Sequence, residues 1–104
     1  MQELEHWYAE GRQLRCAQGA IFLREQGTGP ALLLVHGFPT SSWDWAALWP
    51  SLASTQRVLA PDLLGFGRSS RPPGQAYRIA EQADLLLKVL KQSDVRRCHL
   101  LAHD

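Results

Sequence analysis

The hydrophobic pattern divides the chain into short runs of two different periods. Residues 1–11 follow neither period and are expected to form an irregular lead-in, with one domain over 12–104. From Arg12 to Gln18 and from Ala20 to Glu25, apolar positions roughly alternate on either side of Gly19. That is the pattern of an antiparallel hairpin at a sheet edge. After the turn cluster Gln26-Gly27-Thr28-Gly29-Pro30 comes an uninterrupted run, Ala31-Leu32-Leu33-Leu34-Val35. Strands buried on both faces read this way, and they belong to parallel sheets. Arg57 to Ala60 is a second short buried strand, and Asp94 to Ala102 contains the last one.

Between the strands the period lengthens. Ile79, Ala83, Leu86, Leu87 and Leu90 fall at helical spacing and predict a helix over Ile79–Gln92. A helix is also expected from about Trp43 to Ala53, capped by Ser41 or Ser42 and kinked or divided by Pro50. The order β-β-β-α-β-α-β predicts an α/β fold, with a parallel sheet, an edge hairpin and right-handed crossovers. The order of strands within the sheet stays open.

Composition narrows the function classes. The 104 residues are 45% hydrophobic and 20% charged, which is globular and not disordered. Eleven basic residues against ten acidic ones give a net charge of +1. No basic field exists to hold a phosphate backbone, so nucleic acid is excluded as a partner. Two cysteines 82 positions apart, Cys16 and Cys98, have neither metal-ligand nor disulfide-framework spacing. They read as reduced thiols packed in strands, which fits a cytoplasmic location. The polar, acidic start is not expected to act as a signal peptide, and no apolar run in the 104 residues is long enough to span a bilayer.

Three loops follow the three buried strands, at the sheet end where α/β proteins bind ligands. The first runs His36-Gly37-Phe38-Pro39-Thr40-Ser41-Ser42-Trp43-Asp44-Trp45. Gly37 lets the backbone turn so that the Phe38 amide can face a cleft, and Pro39 stiffens the segment. A rigid loop with an inward N–H is what an oxyanion hole requires. The same residues also fit an ordinary strand-to-helix turn. The second loop carries Asp62-Leu63-Leu64-Gly65-Phe66-Gly67-Arg68-Ser69-Ser70, and the last strand ends in Leu100-Leu101-Ala102-His103-Asp104.

Together these segments resemble the N-terminal part of the α/β-hydrolase fold over residues 12–104, cut at the nucleophile strand. His-Gly-Phe-Pro is similar to the family's oxyanion loop, and the second loop to its D-x-x-G-x-G-x-S segment. Serine enzymes of the fold carry G-x-S-x-G at the nucleophile turn. Small-His-Asp instead resembles the aspartate-nucleophile branch, the epoxide hydrolases and haloalkane dehalogenases. Haloalkane dehalogenases commonly have Asn after His-Gly, where this chain has Phe38, so the epoxide hydrolases are the nearer likeness. HGFPTSSWDW, LLGFGRSS and LLAHD together most resemble the mesoderm-specific transcript branch, whose members often carry an N-terminal membrane segment.

The resemblance implies a hydrolase with Asp104 as nucleophile and the Phe38 backbone N–H as one oxyanion donor. His36, Gly37, Pro39 and His103 would support them, and no cofactor or metal is implied. An ionised aspartate attacks carbon directly and forms an alkyl-enzyme ester, which a histidine-activated water then hydrolyses. The substrate would be a small apolar or amphipathic epoxide, halide or ester. The second oxyanion donor, the base and its acid would lie beyond Asp104. The 104 residues alone are therefore expected to be inactive and to expose an apolar sheet edge. A dehalogenase, or a non-catalytic binding protein on the same fold, is the alternative.

Overall fold

A computed structural model describes residues 3–74 and 77–103. The hairpin is present as β1 (Arg12–Cys16) and β2 (Gly19–Gln26), antiparallel, with Cys16 opposite Gly19. The apolar runs form β3 (Ala31–Val35), β4 (Arg57–Pro61) and β5 (His99–Ala102). The five strands lie in the order β1-β2-β4-β3-β5, with β3 parallel to both β4 and β5. β4 is antiparallel to β2, which joins the hairpin to the parallel part.

Alternation along each strand sends neighbours to opposite faces, and both faces are covered. Phe22, Leu32, Leu34, Val58 and Ala60 pack with Trp7, Tyr8, Trp45 and Trp49 on one side. Ile21, Leu23, Leu33 and Leu59 pack with Leu64, Leu85 and Val89 on the other. The second layer is α3 (Ile79–Gln92), with the bounds its spacing predicts. Its buried row is Leu85 and Val89, four residues apart, flanked by the partly buried Leu86 and Leu90. Ile79 and Leu87, expected on the buried stripe, are instead 89% and 65% exposed. Both apolar rows fit a helical period, and only contact with the sheet selects between them.

Two other expectations are corrected. The lead-in is not irregular: α1 (Leu4–Ala9) is a short helix whose Trp7 and Tyr8 are buried. Six residues are too few to show a period, and tertiary packing holds this helix, not propensity. The helix expected over 43–53, kinked or divided by Pro50, is a 3-10 turn, Ser42–Trp45, followed by α2 (Trp49–Ala53), so the break lies before Pro50. Ser41 caps the 3-10 turn, its hydroxyl accepting the Trp43 N–H at 3.2 Å. Pro50 stands at the start of α2, where its missing N–H is harmless.

Three of the four tryptophans, Trp7, Trp43 and Trp49, meet edge to face, with Trp7 at the centre. Arg24, almost fully buried, lies 4.5 Å over Trp7 and 5.2 Å from the Trp49 ring centre. Burial pulls its guanidinium below the ordinary arginine value, and Glu10 opposes that shift. The rings and the Trp7 carbonyl offset part of its lost hydration. Cys16 and Cys98 are free thiols, partly buried against the α3 side of the sheet.

Candidate active site

The strand order turns about β3, with β4 on one side and β5 on the other. Such a point leaves a crevice at the carboxyl ends of the strands. The loops after β3 and β4 and the end of β5 meet there. Val35 is opposite Ala102, and the His103 N–H donates to the Val35 carbonyl at 3.3 Å. The chain leaving β5 therefore runs beside the chain leaving β3. Asp104 lies outside the described residues.

His36, 2% exposed, joins two of the loops. Its Nε2 accepts the Leu63 N–H at 2.9 Å, so its ring proton sits on Nδ1. Nδ1 then donates to the Gly37 carbonyl at 2.8 Å. With both nitrogens engaged, His36 is a brace and has no site left for a substrate proton. The Thr40 N–H and hydroxyl also reach the Gly37 oxygen, at 3.2 and 3.0 Å. That carbonyl is thus held on the side of the peptide opposite the Phe38 N–H, which meets no backbone acceptor among the described residues. The Phe38–Pro39 bond is cis. The Phe38 ring is 75% exposed and stands edge-on to Phe66 at 5.8 Å, and Phe66 also meets His36 at 5.6 Å.

Asp62 is the hub of the second loop, and it is fully buried. One carboxylate oxygen accepts the Ser42 N–H and the other the Arg68 N–H, both at 2.8 Å. Its own carbonyl accepts the Ser69 hydroxyl at 2.6 Å, while Ser69 Oγ accepts the Phe22 N–H at 3.0 Å. Gly67 has φ +52°, and a Cβ there would lie 2.0 Å from the Asp62 carboxylate. Only glycine fits. Gln82 of α3 clamps the loop from the other side, accepting the Leu64 N–H and donating to the Leu64 carbonyl.

α1 reaches the same hub. Trp7 Nε1 donates to Ser42 Oγ at 3.0 Å, and the Arg68 guanidinium stacks 4.4 Å over the Tyr8 ring. Burial raises the Tyr8 hydroxyl above the ordinary tyrosine value; the Ser41 hydroxyl opposes this and the Asp62 carboxylate adds to it. His103 and Asp44 form a third connection: His103 Nε2 is 3.0 Å from Asp44 Oδ2, and its ring is edge-on to Trp45 at 5.1 Å. The Thr40 hydroxyl donates to the same carboxylate oxygen.

His36, Gly37, Phe38, Pro39 and His103 are therefore gathered at one crevice. Sequence reasoning missed Thr40 and Asp44; the only available signal was that Asp44 is the sole acid in the first loop. Among the described residues no three His, Cys, Asp or Glu side chains are grouped to hold a metal. No helix of the described residues is long and apolar enough to cross a membrane. A concavity of about 500 Å³ between α3 and residues 94–98 opens toward the other end of the sheet. Among the described residues, no hydrogen bond or ion pair joins a nucleophile to a base in its lining.

A mixed sheet, antiparallel on the hairpin side and parallel about β3, with covered faces and a braced loop after β3, defines an α/β hydrolase architecture. The chain belongs to the α/β-hydrolase-fold family, whose model matches residues 30–104. It is similar to the mesoderm-specific transcript homolog protein of Bos taurus, 38% identical over 97% of this chain and 32% of that protein. Among solved structures it resembles the haloalkane dehalogenase DbeA from Bradyrhizobium elkani, with a TM-score of 0.85 and 32% identity over 90% of this chain and 33% of that one. An epoxide hydrolase from an endophytic Streptomyces matches with a TM-score of 0.84 and 38% identity, over 90% and 29% of the two chains. The chain spans about a third of the length of the relatives it matches.

Proposed function

We propose that the full-length protein is an epoxide hydrolase-like enzyme in which Asp104 is the nucleophile and the Phe38 N–H an oxyanion donor. The observation that carries this reading is the pairing of Val35 with Ala102, extended by the bond from His103 to Val35. It supports a nucleophile emerging from β5 next to the Gly37–Phe38 peptide. A carboxylate oxygen of Asp104 attacks an epoxide carbon and the ring C–O bond breaks. The released alkoxide takes a proton from water, leaving an alkyl ester. Water, deprotonated by a base, then adds to the ester carbonyl. The charge that develops on the carbonyl oxygen is what the Phe38 N–H would stabilise. Collapse frees the diol and restores the carboxylate. His36 cannot be that base, and His103 already meets Asp44, so the base belongs to the remainder of the full-length protein.

Phe38 favours an epoxide over a halide, because its exposed side chain offers an apolar ring and no N–H for a leaving halide. A single turnover of styrene oxide in ¹⁸O-water tests the mechanism. One ¹⁸O atom should appear in the Asp104 carboxylate, and Asp104→Asn should abolish turnover. Label found only in the diol would exclude the ester. No reaction with styrene oxide or 1-bromobutane would favour a binding protein. The 104 residues alone should show no turnover.

A further inference from the structure

One side chain outside the proposed machinery touches both halves of it. The Gly37 carbonyl and the Phe38 N–H are opposite ends of one planar trans peptide. Whatever grips the oxygen therefore aims the N–H. His36 Nδ1, the Thr40 N–H and the Thr40 hydroxyl all reach that oxygen. The Thr40 hydroxyl has one proton; donated to the Asp44 carboxylate, it pins Thr40, whose backbone N–H holds the Gly37 oxygen. The same Asp44 oxygen holds His103, the residue before Asp104. We propose that Asp44 is a positioning residue for ester hydrolysis: through Thr40 it orients the Gly37–Phe38 peptide, and through His103 it fixes that peptide against the end of β5.

This inference rests on Asp104 and the Phe38 N–H having the roles given above. The Asp44 and His103 side chains are 24% and 42% exposed, so their contact adds little to stability. Its effect should be kinetic, and it should be selective. Ester hydrolysis builds charge on the oxygen facing the Phe38 N–H. Formation of the ester disperses charge from that oxygen and gains nothing from the donor.

Rapid-quench mass spectrometry of the full-length protein with styrene oxide separates the two steps. Asp44→Asn and Thr40→Val should slow ester hydrolysis by about tenfold to a hundredfold, a fraction of the loss of a whole oxyanion donor. The ester should accumulate, formed at close to its normal rate. Thr40→Ser, which keeps the hydroxyl, should restore hydrolysis. Thr40→Val preserves the shape of threonine and answers the question even if Asp44→Asn fails to fold. Equal slowing of both steps, or of neither, overturns the role of Asp44 while leaving the nucleophile intact. Absence of any ester in the unsubstituted protein overturns the nucleophile reading and this inference with it.

Discussion

The fully buried Asp62 shows how one residue can decide a loop. Its two carboxylate oxygens satisfy N–H groups from different loops. Asp62→Ala would leave the buried Ser42 N–H without an acceptor and take the Arg68 N–H's partner away, at a cost of about 2–3 kcal/mol. Asp62→Asn keeps one acceptor but turns an NH₂ toward the other N–H, and should cost less. Denaturant unfolding of the full-length protein measures both, and equal stability of all three forms would refute the hub. Tyr8 gives a pH dependence. Its folded-state pKa is raised, so the folded state keeps its proton longer than the unfolded state does. The resulting stability is complete below the ordinary tyrosine value of about 10 and lost as pH rises through the higher folded value. Unfolding curves at pH 8, 10 and 11 should show this decline, and Tyr8→Phe should reduce it.

At the scale of elements, α1 is the part with the largest consequence for its length. Trp7 is buried at the centre of the aromatic cluster and donates to Ser42, 35 positions away. Trp7→Ala should cost about 3–5 kcal/mol and loosen the first loop; hydrogen exchange at residues 40–46 should rise with it. The strands and α3 were legible because each fills a whole period: five apolar residues for β3, fourteen residues at helical spacing for α3. α1 and the place of the break within 42–53 were not legible, because both are set by distant partners. Trp7 is held by Ser42 and Arg24, and the 3-10 turn by the Asp62 carboxylate. The crevice was half legible for the same reason. His36, Gly37 and Phe38 follow a readable strand, whereas Thr40 and Asp44 acquire a role only through the Gly37 carbonyl and His103.

For the whole molecule, the sheet has contrasting edges. β1 is the outer strand on one side, with arginine and glutamine among its exposed positions. On the other side the outer strand of the described residues is β5, whose Leu100 and Leu101 are 64% and 42% exposed. Such an apolar edge templates pairing with another chain. The 104 residues in isolation should therefore self-associate, and Leu100→Lys should shift light scattering toward the monomer. Scattering that is unchanged by the substitution would point to another surface. The Asp62 hub also has a consequence for recombination between relatives. Segments 36–45 and 62–70 share one carboxylate, and α1 is bonded to the first of them. A chimera that exchanges one of these segments alone inherits mismatched bonding, whereas the three exchanged together travel as a single cassette.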